Sequence, residues 1–438
     1  MKHLLEKLIS LPEAAELLRR IEDGGCPAAV TGLQPVHRAC LGAAVAQASG
    51  RPAVFLCGDE SEARQLAGDL AVLLEEPPVM LLSREWQFRP GAVSSRDWER
   101  GRLAALYALS KGGARAVVAT ADALMARTMP PELLKDLSIT LRTGERRDLR
   151  ELTDRLLAAG YTHCQQVEGV GQYAIRGGIL DVFSPLMEQP VRCEFFDDEI
   201  DSMGSFDLGT QRRTKNLDTA LVLPAAEVLP RQAKGGLKGL SDKLLALAEK
   251  LEKKNSPAAA RLREDGERLK NDSVPDGMDR YLAAVYPDSV SGVHYLPSDA
   301  VVMLCEAGRV DERVKGSLLQ NRQDMEALME AGILAGDYAK LLLPAEEFYS
   351  ALEEFPIIMI NALPTSRYPF QPKGLLSVNA RQLSSYGGSL ETAVSDLAQY
   401  RAGASSYRCP PPCPGRRQCR APSLWWGGAG KKPPHPPC

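Results

Sequence analysis

A regular alternation of short apolar runs with helical stretches breaks off near residue 137 and resumes after residue 224, and few folds accommodate that pattern. Ala28–Val30 leads through a turn into a helix near Ala39–Ala48, and Ala53–Cys57 is followed by Gly58-Asp59-Glu60-Ser61 and a helix through Leu74. Val79–Leu82 and Ala116–Ala119 are two further runs of the same kind. Short apolar runs with helices between them predict parallel strands buried in a doubly wound sheet. After Pro224 come helices over Leu237–Lys254, Ala258–Lys270, Asp311–Ala331 and Pro344–Glu354, with strands at Ala300–Leu304 and Ile357–Ile360. Between the halves, a helix with Leu149, Leu152, Leu156 and Leu157 on one face precedes strand-like segments at Tyr173–Phe183, Val191–Phe196 and Ile200–Phe206. That order predicts a small antiparallel sheet backed by one helix. The expected fold class is α/β: residues 1–136 and 225–365 form one interrupted domain, 137–224 a small α+β insertion, and 366–405 the start of a further α/β unit.

The last stretch, 406–438, differs from everything before it. It holds nine of the 31 prolines, the sequence Trp425-Trp426-Gly427-Gly428 and no hydrophobic periodicity, which reads as disorder or an out-of-frame end. Cys409, Cys413, Cys419 and Cys438 gather there with His435, but their spacings are irregular and zinc sites favour short pairs such as Cys-x2-Cys, so no metal is expected. Upstream, Cys26, Cys40, Cys57, Cys164, Cys193 and Cys305 are scattered through apolar segments, as reduced thiols usually are. The opening residues mix Leu and Ile with Glu, Lys and Arg, and no apolar run is long enough to span a bilayer. A cytoplasmic chain without a membrane partner is expected.

Seven of the 53 basic residues and none of the 56 acidic ones fall in residues 401–438, which leaves residues 1–400 at a formal charge of −10. A body of that sign gains little from counterion release off DNA. Its partner is expected to be protein.

A nucleotide-binding loop needs glycines for backbone approach, a Lys for phosphates and a Ser or Thr for magnesium. The first predicted strand leads into Thr31-Gly32-Leu33-Gln34-Pro35-Val36, with Pro35 and Val36 where Lys and Ser/Thr belong. Ala300–Leu304, the candidate for the acidic second half of such a site, ends in Cys305-Glu306 without the magnesium-binding Asp. No catalytic residue, no cofactor and no hydrolysis are expected here. Asp59 is read as a helix cap, and His37, His163 and His294 as lone surface or satisfied core residues.

The most specific stretch is Gly171-Gln172-Tyr173-Ala174-Ile175-Arg176-Gly177-Gly178-Ile179-Leu180-Asp181-Val182-Phe183, continued by Pro190-Val191-Arg192-Cys193-Glu194-Phe195-Phe196-Asp197-Asp198-Glu199-Ile200-Asp201-Ser202, Phe206-Asp207 and Thr210-Gln211-Arg212. Alternation along a strand places Arg192, Glu194 and Phe196 on one face and Val191, Cys193 and Phe195 on the other. Arg176 is expected on a neighbouring segment beside Gly177-Gly178, where missing side chains let a partner approach. Composition by itself favours an ordinary solvated face with Glu194 paired to one Arg.

The stretch strongly resembles the small β-rich domain shared by two families, the transcription-repair coupling factors and the UvrB excinuclease proteins, and weaker likeness covers residues 1–400. The resemblance implies a degenerate helicase-like (RecA-like) body whose insertion binds the excinuclease protein UvrA, with Arg176, Arg192 and Phe196 matching the family's contact positions. The degenerate loop and the short Arg84–Pro90 region point to the coupling factors. The alternative is a UvrB-like, ATP-dependent damage-recognition protein. In the full-length family ATP and magnesium drive a DNA translocase, and RNA polymerase and DNA are engaged by regions that this chain is not expected to carry. The implied role is a UvrA-recruiting module in transcription-coupled nucleotide excision repair.

Overall fold

The structure is a computed structural model that describes residues 2–88, 97–254, 256–380 and 389–404. Thirteen strands build two principal sheets: β1 (Ala28–Thr31), β2 (Ala53–Cys57), β3 (Val79–Leu81), β4 (Ala116–Thr120), β5 (Thr162–His163), β6 (Gln172–Arg176), β7 (Ile179–Val182), β8 (Val191–Phe196), β9 (Glu199–Phe206), β10 (Arg213–Asn216), β11 (Val301–Cys305), β12 (Ile357–Asn361) and β13 (Gly374–Ser377). The larger sheet has the order β13-β1-β12-β11-β2-β4-β3, with every pair parallel. Every residue of β1, β2, β4, β11 and β12 is buried, so both faces of the sheet are covered. That explains why these strands read as unbroken apolar runs.

Strands from the two separated sequence halves alternate in this sheet. β1 lies between β12 and β13, and β11 lies between β12 and β2. Residues before and after the insertion therefore form one domain. Helix boundaries follow local chemistry: Pro35 starts the helix Pro35–Ser49 and Gly50 ends it at φ 67. Asp59 caps Glu60–Leu74, its carboxylate accepting the Glu62 amide at 2.8 Å. The expected capping role of Asp59 is what the geometry shows.

The smaller sheet, in the order β10-β9-β8-β7-β6-β5, is antiparallel except where β5 runs parallel with β6. The segment that reads from sequence as one strand, Tyr173–Phe183, is the hairpin β6–β7, turning at Gly177 with φ 62. Helix Leu149–Ala158, started by Asp148, packs on one face with the two-stranded ribbon Ile139–Arg142 and Thr219–Val222. Leu152, Leu156, Tyr173, Leu180, Val182, Val191, Cys193, Ile200 and Met203 form that core, separate from the core of the large sheet.

One boundary moves. Sequence pattern places residues 366–379 in a further unit, but Phe370 is buried in the main core and β13 pairs with β1, so the first compact unit runs to Asn379. A short strand gains from an existing edge what it lacks the partners to build alone. The second unit, from Ala380, has Leu390–Ala404 as its described helix. Residues 406–438 and the tail cysteines lie outside the described residues, as do Arg89 and Pro90. Among the described residues no metal-binding group of His, Cys, Asp and Glu is found, and no helix is long and apolar enough to cross a membrane.

Where the chain re-enters the body after the insertion, a buried charge cluster forms. Glu227, wholly buried, lies between Arg84 (Nη1 at 3.1 Å) and Arg102 (Nε at 2.9 Å) and accepts the Thr128 hydroxyl at 2.8 Å. Arg84 also donates to Asp279 at 2.8 Å. Burial pushes the Glu227 carboxyl up, but the two guanidiniums outweigh it and hold it below its ordinary value. Removing one member leaves charges buried without partners, so Glu227→Ala should cost about 3–5 kcal/mol. A denaturant melt of the variant matching the parent would contradict this.

Candidate functional site

The face of the small sheet opposite the helix carries the residues singled out by sequence. Cross-strand register places Ala174, Asp181, Arg192 and Gly204 in one row over β6, β7, β8 and β9. Arg176 and Phe196 share that face by alternation along their strands. The three expected contact residues therefore lie on one side of one sheet. Exposure separates their duties: Phe196 is 78% exposed, while the Arg176 and Arg192 side chains are 46% and 17% exposed.

Arg176 lies on β6 beside the Gly177-Gly178 turn, and the two arginines are on strands separated by one other. β7 runs between them, and its Asp181, 1% exposed, joins them. Arg192 donates through Nε to Asp181 Oδ1 at 2.7 Å and through Nη2 to Oδ2 at 2.9 Å, a bidentate pair. Arg176 donates through Nη2 to Oδ2 at 2.7 Å. Arg192 also donates to the Gln211 backbone and side-chain oxygens, each at 3.2 Å, and stacks 4.4 Å from the Phe206 ring centroid. Its hydrogen bonds to Asp181 raise the Arg192 guanidinium above its ordinary value.

Glu194 pairs with Arg213 at 3.2 Å, not with Arg192. Arg213 reaches it by lying over Gly204, where a Cβ would come within 2.8 Å of Arg213 Nε and 2.6 Å of the Lys215 carbonyl. Gly178, which sequence suggests as an opening for a partner, serves the sheet itself: a Cβ there would stand 2.9 Å from the Phe195 carbonyl, while the Phe195 amide donates to Gly178 at 2.7 Å. Sequence reasoning gives no role to Asp181, Gly204, Phe206, Gln211 and Arg213. Asp181 had a signal, a carboxylate between Leu180 and Val182 in register parity with the neighbouring arginines.

The degenerate loop after β1 is closed by its own neighbours. The Gly32 and Leu33 amides donate to the Ala362 and Asn361 carbonyls, and the Val378 amide donates to the Thr31 carbonyl at 2.9 Å. A Cβ on Gly32, at φ 90, would stand 2.0 Å from the Val378 oxygen. Pro35 and Val36 open the following helix, so neither a lysine nor a hydroxyl stands there. Arg38, 5% exposed, donates to the Leu33 carbonyl at 3.2 Å, to Glu62 at 2.6 Å and to Glu306. Glu306, the acid after β11, in turn accepts the Ala362 amide at 2.9 Å. Burial raises the Glu62 carboxyl above its ordinary value, with Arg38 and Arg309 opposing it. The amides, the cation and the acid that a triphosphate and its magnesium would need are committed to one another, and the residues present do not fit that group.

Comparison with known proteins agrees with the geometry of the insertion. Residues 139–227 match the family model of the UvrB interaction domain. Over 377 residues, 85% of the chain, the sequence is 26% identical to the transcription-repair-coupling factor of Bacillus subtilis (strain 168). It is 25% identical over 382 residues to that of Staphylococcus haemolyticus (strain JCSC1435), and 22% identical over 382 residues to that of Staphylococcus aureus (strain Mu50 / ATCC 700699). The chain is similar to the transcription-repair-coupling factors. It spans about a third of their length, 32% in each case. The matched UvrB interaction domain ends at Glu227, the carboxylate of the buried charge cluster.

Within this domain Gly204 is needed for space, not for backbone freedom. Gly204→Ala should push Arg213 and β10 aside and cost roughly 1–3 kcal/mol, the usual range for overpacking. An unchanged thermal melt of the variant would show that the edge strand yields freely.

Proposed function

We propose that this chain recruits UvrA, acting as the docking module of a transcription-repair coupling factor in nucleotide excision repair. The observation that carries the reading is the placement of Arg176, Arg192 and Phe196 on one face of the small sheet, with Phe196 and Arg176 exposed, in a domain that matches the UvrB interaction family. A phenyl ring left 78% exposed on the same sheet face as two partly exposed arginines has the composition of a protein-interface hot spot. The body's charge of −10 over residues 1–400 also favours a protein over nucleic acid. A cytoplasmic setting goes with that partner.

Titration of purified UvrA against the full chain, followed by calorimetry, tests the reading. Arg176→Glu or Arg192→Glu is expected to weaken binding by about a hundredfold or more, and Phe196→Ala by about tenfold or more, as for central hot-spot residues. An R176E/R192E double variant that binds UvrA like the parent would sink the proposal.

We further infer that these residues do not hydrolyse ATP. The pairing of Arg38 with Glu62 and Glu306, and of the Gly32 and Leu33 amides with backbone carbonyls, supports this. Equilibrium dialysis with labelled ATP and magnesium should give no saturable binding; a saturable isotherm would revive the UvrB-like, ATP-dependent alternative. ATP-driven displacement of RNA polymerase along DNA, implied for full-length members of the family, is not assigned to these residues.

A further inference from the structure

We propose that Asp181 is a positioning residue of the docking face, which sets Arg176 as an outward-directed cationic donor for a partner carboxylate. The inference rests on the recruitment reading above. Arg192 is engaged within the sheet: Nε and Nη2 hold both Asp181 oxygens, Nη1 and Nη2 hold Gln211, and its plane lies over Phe206. Arg176, by contrast, commits Nη2 to Asp181 Oδ2 and has its side chain 46% exposed. A long, flexible side chain held by one charged hydrogen bond loses less rotamer freedom on binding than an unrestrained one, so the partner finds its donor already oriented.

The charges set the chemistry of the partner group. Two guanidiniums share one carboxylate, whereas Arg213 is matched by Glu194. Among these five side chains the positive charges exceed the negative by one, and a carboxylate from the partner balances Arg176 with a charge-assisted hydrogen bond. Phe196, on the same face, supplies the adjoining apolar contact.

Positioning and simple charge make opposite predictions. Asp181→Asn keeps the size of the side chain and removes a negative charge from the face, so charge alone would tighten binding to an acidic group. The asparagine cannot accept from both guanidiniums through two equivalent oxygens, and its amide N–H turned toward a guanidinium is repelled. If Asp181 positions Arg176, D181N weakens UvrA binding by about tenfold or more, and by no more than about twofold in an R176A background, where the oriented group is gone. Titration calorimetry on the full chain, with thermal melts as the control for folding, reads both numbers. Arg176→Lys is the second variant: it keeps the charge but not the planar fork that can hold Asp181 and a partner carboxylate together, and is expected to weaken binding by at least about fivefold.

Unchanged or tighter binding by folded D181N overturns the inference, and so does an equal loss with and without Arg176. Should D181N fail to fold, R176K decides: binding equal to the parent overturns the inference. Loss of binding in R176E and F196A with D181N intact leaves the recruitment reading standing and removes this one. A parent chain that does not bind UvrA removes both.

Discussion

The buried carboxylate of Glu227 joins parts of the chain that have no reason to meet in sequence. Arg84 and Arg102 come from the first half of the α/β body, Thr128 from just before the insertion, Glu227 from its far end and Asp279 from the second half. Stranding any one of these groups in a dry interior costs more than the net worth of the pairing. With 139–227 fixed at its exit, the small sheet can present a surface while its own core is sealed by the helix Leu149–Ala158.

The small sheet divides its two faces by chemistry. Apolar residues at alternate positions close one core, and the intervening positions carry Ala174, Asp181, Arg192 and Gly204 in a row. Gly204 at one end of that row leaves room for the Arg213 side chain to lie across the neighbouring strand. Burial of Asp181 between two guanidiniums is tolerable because both of its oxygens are satisfied by charged donors. Such a face is preorganised, which reduces the entropy lost when a partner docks.

The large parallel sheet carries internal ion pairs at the ends of its strands. A salt-bridged arginine and two glutamates occupy the ground at the ends of β1 and β11, and the backbone after β13 lies against Gly32.

Much of the fold was legible because period and burial are local signals. Fully apolar runs such as Ala53–Cys57 and Ile357–Asn361 announce strands covered on both faces, and alternation in Val191–Phe196 assigns its faces without reference to any partner. The same local chemistry marks Pro35 and Val36 as unfit for phosphate. Tertiary structure alone decided that Asp181 stands between Arg176 and Arg192, that Glu194 belongs to Arg213, and that 374–377 completes the edge of the large sheet. Strand order and register bring residues together across distances in sequence that periodicity does not encode, and a charge takes its partner from whatever that order places beside it.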